Sequence, residues 1–150
     1  MRQGIAAYRA TGAANFVPHF LGLMAQAQQH EGQVPEAEET VAEASEMVRG
    51  TGERYYEAEL LRHRGELLLA RPTPDPIAAE RCLVEALEAA RRQQAGMWEL
   101  RATMSLARLW ADRGERQKAH DLLAPVYGWF TEGFDAPDLT EAKELLGALS

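Results

Sequence analysis

The chain has 150 residues, 46% hydrophobic and 26% charged, with a formal net charge of −7. That length can bury the core of one domain, and the acidic balance argues against a nucleic-acid partner, which calls for a basic face. A lone Cys82 excludes an internal disulfide and fits a reducing compartment, while the lack of a leader-like start or of an apolar run near the ~18 residues of a membrane span predicts a cytoplasmic chain without a membrane partner.

Residues 1–12 close with R-A-T-G at Arg9 to Gly12, which returns as R-G-T-G at Arg49 to Gly52. They are expected to be the end of a second helix whose own first helix is missing. Ile5, Ala6 and Tyr8 would then form an apolar N-terminal edge, exposed or covered by self-association into a homo-oligomer.

Residues 14–52 form the first full unit. Phe16 opens it, Ala25 follows nine positions later, Gly32 breaks it, and Ala37 begins the return. Ala37, Val41, Ala44, Met47 and Val48 recur at the spacing of one helical face. Gly50 and Gly52 read as a helix C-cap.

Residues 53–94 repeat the layout with Tyr56, Gly65, Ala79 and Leu83, so the aromatic step from Phe16 is 40 positions. The run Arg71 to Pro76 is a loop. Asp75 before Pro76 predicts a side-chain N-cap with proline at the first helical position. Ala79, Leu83, Ala86, Leu87 and Ala90 supply the buried face.

Residues 96–133 form the third unit, with Gly96 as a breaker and Trp98 opening it 42 positions after Tyr56. Ala107, Gly114, Ala119 and Leu123 continue the pattern, and Ala119, Leu122, Leu123, Val126 and Phe130 form the apolar stripe. Trp98, Trp110 and Trp129 are expected as packing residues. Residues 136–149 make a final helix with a polar outer face at Glu141, Lys143 and Glu144, suited to ending a stack. Asp138 and Glu141 have capping-box spacing there.

No segment alternates as a strand does, so the fold class is all-α, with about seven or eight helices in antiparallel hairpins. Self-similarity at this period marks a repeat array. Ala25 against Ala37, Gly65 against Ala79 and Ala107 against Ala119 let paired helices approach to the ~8 Å end of their usual range. Gly65 costs about 1 kcal/mol of helix propensity relative to alanine, tolerable where close approach compensates.

Motifs of chemistry are lacking. There is no phosphate-binding G-x-x-x-x-G-K-[ST] loop, and His19, His30, His63 and His120 form no H-E-x-x-H pair. Ser45, Ser105, Ser150 and Cys82 have no nucleophile context. Glu36, Glu38, Glu39 and Glu43 read as a solvated helix face. No cofactor, no metal and no catalytic residue is expected, and the chain is not read as an enzyme.

The small-residue skeleton resembles the tetratricopeptide repeat. Ala25, Gly32, Ala37 and Val41 match its pattern, as do Ala107, Gly114, Ala119 and Leu123. Gly65, Ala79 and Leu83 match it with the proline-rich loop in place of the inter-helix glycine. The period exceeds the family's usual ~34 residues, and its helix-A tyrosine is replaced by Gln28, Leu68 and Trp110. Two blocks, Thr51 to Leu69 and Leu123 to Leu146, look like the C-terminal helical-repeat region of bacterial proteins that join a class III nucleotide cyclase to an NTPase module. That resemblance implies a right-handed superhelix of three long repeats between an N-terminal half-repeat and a capping helix. It also implies a regulatory or scaffolding arm of a signal-transduction protein, with none of the catalytic residues of its relatives.

The resemblance further implies a concave groove lined by the first helix of each unit. By repeat position its residues are His19, Gln26, Gln29 and His30 in the first unit. The second contributes Glu59, Arg62 and Glu66, and the third Arg101, Met104, Arg108 and Asp112. Arg62, Arg101 and Arg108 could fork onto an acidic peptide or a terminal carboxylate, unless Glu59, Glu66 and Asp112 neutralise them in surface pairs. A module binding a protein or peptide is therefore expected. A spacer or homodimerisation domain and a small-molecule sensor are the alternatives.

Overall fold

The computed structural model describes residues 3–4, 16–52 and 54–150. Within them the chain is all-helical, with seven helices and no strand: α1 (Val17–His30), α2 (Val34–Thr51), α3 (Glu57–Ala70), α4 (Pro76–Arg92), α5 (Gly96–Asp112), α6 (Arg116–Gly128) and α7 (Pro137–Leu149). The expected half-repeat at 1–12 and the edge formed by Ile5, Ala6 and Tyr8 lie outside the described residues, apart from positions 3 and 4.

Consecutive helices pack as neighbours, and α1 also touches α3, α3 touches α5, and α5 touches α7. By contrast α2, α4 and α6 do not approach one another. The result is two rows: an inner row of α1, α3, α5 and α7, each touching the next, and an outer row whose helices touch only members of the inner row.

The small residues stand at the depth the sequence assigns them. Ala25 and Ala37 share a buried cluster with Val41 and Leu67, and Ala107 and Ala119 share another with Leu123. At Gly65 a methyl group would lie 2.9 Å from Leu83 Cγ and 3.2 Å from the Ala79 carbonyl oxygen, so α3 and α4 meet there at backbone contact.

The ends of helices follow local chemistry. The Asp75 carboxylate accepts a bond from the Ala78 N–H at 3.1 Å, with Pro76 opening α4. Gly52 caps α2 at φ 70°, and its N–H reaches the Val48 carbonyl at 3.0 Å.

Several expectations are corrected. Ala136, not Asp138, is the N-cap of α7, because Pro137 already suits the first helical position; Asp138 sits in the first turn and pairs with Arg101 instead. Gly96 stands at the expected boundary and opens α5, but the left-handed residue of that turn is Gln94, at φ 52°. Helix α6 ends at Gly128, soon after Pro125, which lacks the N–H that would continue the ladder, so Phe130 lies beyond it. Trp129 is 60% exposed and packs no core, whereas Trp98 and Trp110 lie half-buried against core clusters.

Candidate functional site

The inner row carries a groove of about 380 Å³. Helix α1 contributes Gln26, Gln29 and His30 to it, and α3 contributes Arg62 and Glu66. Helix α5 adds Arg101, Met104 and Arg108. Eight of the eleven residues predicted by repeat position thus share one wall. The remaining three separate: His19 and Glu59 line an adjoining pocket, and Asp112, at the end of α5, lines neither.

Helical spacing explains this convergence. Positions three, four and seven apart share a face, so Arg101, Met104 and Arg108 form one stripe on α5, and Arg62 and Glu66 another on α3. The contacts of α1 with α3 and of α3 with α5 lay these stripes side by side.

The electrostatics differ from an array of open charges. Glu59 is 1% exposed and Arg62 8%, so neither is displayed as a free groove side chain. Arg62 donates from Nε and Nη2 to the two oxygens of Glu59, each at 3.0 Å, and from Nη1 to Glu66 at 2.9 Å. Ser105 Oγ donates to the same Glu66 oxygen at 2.8 Å. Arg101 reaches Glu59 at 3.3 Å and Asp138 at 2.9 Å, and Arg108 meets Glu141 at 3.3 Å. The expected neutralising pairs therefore exist for Arg62, but the one with Glu59 is buried and only the one with Glu66 is partly exposed, and burial raises both the attraction and the cost of losing one partner.

Titration follows from this geometry. Burial opposes the charge on Glu59, but the hydrogen bonds and charge of Arg62, with Arg101 behind them, prevail and hold the carboxyl below its ordinary value. His63, buried one turn away, is driven down to about 4 by desolvation and the Arg62 charge, so it is neutral near pH 7. Its Nδ1 finds no hydrogen-bond partner among the described residues. Tyr56 is pushed up to about 12 by burial and the adjacent Glu59.

The adjoining pocket, about 340 Å³, is aromatic. Tyr56 forms its floor and meets His19 edge-on at 4.9 Å and Trp98 edge-on at 5.6 Å. Tyr55 stands against Trp98 at 5.0 Å. Gly22 makes room for the Tyr56 ring: a methyl group there would fall 2.6 Å from Tyr56 Cε1. Leu23, Gln26 and Arg101 line both the pocket and the groove, so the two are continuous.

Repeat position alone missed Asp138 and Glu141, which α7 brings to the groove, as well as Ser105 and the role of Gly22. Glu141 lies 40 positions after Arg101 and could have been found by extending that register into the last helix, whereas Asp138 takes the register position of Trp98 and could not. No group of three or more His, Cys, Asp or Glu side chains able to hold a metal occurs among the described residues, and none of their helices is long and apolar enough to cross a membrane. Comparison with protein-family models, with curated proteins and with solved structures finds no match to the chain.

Proposed function

We propose that this chain is a non-enzymatic helical-repeat binding module that holds an extended peptide segment of a partner protein against its inner row. The observation that carries this reading is the convergence of Gln26, Gln29, Arg101 and Arg108, from helices far apart in sequence, on one groove. An extended peptide must satisfy N–H and C=O groups together. The amides of Gln26 and Gln29 both donate and accept, Arg108 donates, and Glu66 and Glu141 accept.

The chemistry favours a peptide backbone over a polyacidic ligand. Arg62 spends its donors on Glu59 and Glu66, and the charges of Arg101 and Arg108 are matched by Asp138 and Glu141. A groove so balanced selects by shape and hydrogen bonding, with little long-range pull on a charged partner. Such a module suits the regulatory or scaffolding arm of a signal-transduction protein, the role implied by the resemblance to tetratricopeptide and cyclase-associated repeats.

The test is selection of peptides from a displayed library on the immobilised chain, followed by titration against Gln29→Ala and Arg108→Ala. Both positions lie outside the buried ion cluster, so the fold should survive. Enriched peptides losing about fivefold or more in affinity, roughly 1 kcal/mol, support the groove. Unchanged affinity for both variants, or no enrichment at all, removes it.

A further inference from the structure

We infer that the aromatic pocket beside the groove takes a neutral aromatic side chain of the bound peptide, whose flanking backbone carbonyl accepts from Arg101. This rests on the peptide-groove reading and adds the residue class that gives it specificity.

Four observations converge on that occupant. The first is continuity, because Leu23, Gln26 and Arg101 belong to both cavities. A chain lying in the groove can therefore turn one side chain into the pocket without leaving its track. The second is size: about 340 Å³ lies at the lower end of the ~300 to 1,000 Å³ typical of ligand sites, fitting one ring and its backbone.

The third is unspent apolar surface at the rim. Phe16 is 56% exposed and Tyr55 73%, although both border a pocket floored by the buried Tyr56. An incoming ring would cover these faces and add edge-to-face contacts to those already made by Tyr55, Tyr56, His19 and Trp98. The pocket is also held open from behind, since the Tyr56 ring fills the space over Gly22 and is braced by two neighbours.

The fourth is charge. Aromatic walls alone would also suit an organic cation, but the one carboxylate on this wall, Glu59, is already taken by Arg62 and Arg101, so no unpaired anion is left to hold one. An added carboxylate gains little either, because Arg101 already faces Glu59 and Asp138. A guanidinium has five N–H donors, and the bonds to those two carboxylates leave some for a carbonyl oxygen. A neutral aromatic residue within a chain leaves these ion pairs undisturbed and meets the aromatic wall with its ring.

The test uses the full chain labelled with 15N and titrated with N-acetyl-phenylalanine methylamide, observing the indole N–H of Trp98. The expected result is a saturable shift of Trp98 that leaves the Trp129 signal unmoved. N-acetyl-lysine methylamide should give no such shift. Tyr55→Ala and Phe16→Ala alter exposed rings, so they should keep the helical circular dichroism and weaken the probe by about threefold or more each. No Trp98 shift, a tighter lysine analogue, or unchanged probe affinity in both variants overturns the assignment. So does a Trp98 shift that grows with protein concentration before any probe is added, because a second copy would then be the occupant. If the probe fails while displayed peptides still bind in the groove, the pocket assignment alone is lost. If both fail, the groove reading goes with it.

Discussion

Glu59 and Arg101 are 42 positions apart and meet at 3.3 Å across the contact between α3 and α5. The same carboxylate is gripped by Arg62 and the same guanidinium by Asp138, so Arg62, Glu59, Arg101 and Asp138 form a continuous chain of charge across α3, α5 and α7.

Breaking this chain at its most buried member is expected to be costly. Glu59→Gln leaves the buried Arg62 with only the partly exposed Glu66 as counter-charge, and a loss of about 3 kcal/mol in urea unfolding is expected. Replacing both by apolar side chains, Glu59→Leu with Arg62→Met, should cost less than the single Glu59→Gln change. A strictly additive double-mutant cycle would show that the two do not act as a pair.

Gly65→Ala sets helix propensity against packing. Alanine gains about 1 kcal/mol in an exposed helix, but here its methyl group would meet Leu83 at 2.9 Å and a backbone oxygen at 3.2 Å. Overpacking of this kind costs about 1 to 3 kcal/mol, so the variant should unfold at lower denaturant than the parent. An equal or higher midpoint would mean that α3 and α4 separate without strain.

Stability should fall on acidification through a defined window. The folded-state value of His63 lies near 4, below its ordinary 6.5, so the unfolded chain binds the extra proton first as pH drops from 6.5 toward 4. Glu59, also held below its ordinary value, adds loss in the same direction as the pH falls further. Urea midpoints measured from pH 7 to 4 should decline, and His63→Leu should flatten the part between 6.5 and 5. A His63→Leu profile parallel to the parent's would assign that slope to other groups.

Arg108→Ala separates binding from folding. Its partner Glu141 is itself exposed, and such surface pairs contribute about 0 to 1 kcal/mol. The thermal midpoint should move by a degree or two, whereas peptide affinity in the groove should drop. A large stability loss with unchanged affinity would reverse this assignment.

The architecture was legible where period and residue size carry it. Ala37, Val41 and Ala44, or Ala79, Leu83 and Ala86, reveal a buried helical face because a helix returns the same face every few positions. The residues of the groove were legible for the same reason. Burial of Glu59 and Arg62 was not, since a charged pair one turn apart reads as solvated unless its surroundings are known. Nor was the work of Gly22, whose partner Tyr56 belongs to the next hairpin. At Asp138 two local signals competed, and the proline just before it settled where the helix starts.

The unequal rows have a mechanical consequence. With α2, α4 and α6 free of one another, each joins the following hairpin only by lying against its inner helix, so bending of the stack has to shear α2 on α3, α4 on α5 and α6 on α7. Whatever lies across α1, α3 and α5 therefore bridges two of these seams at once.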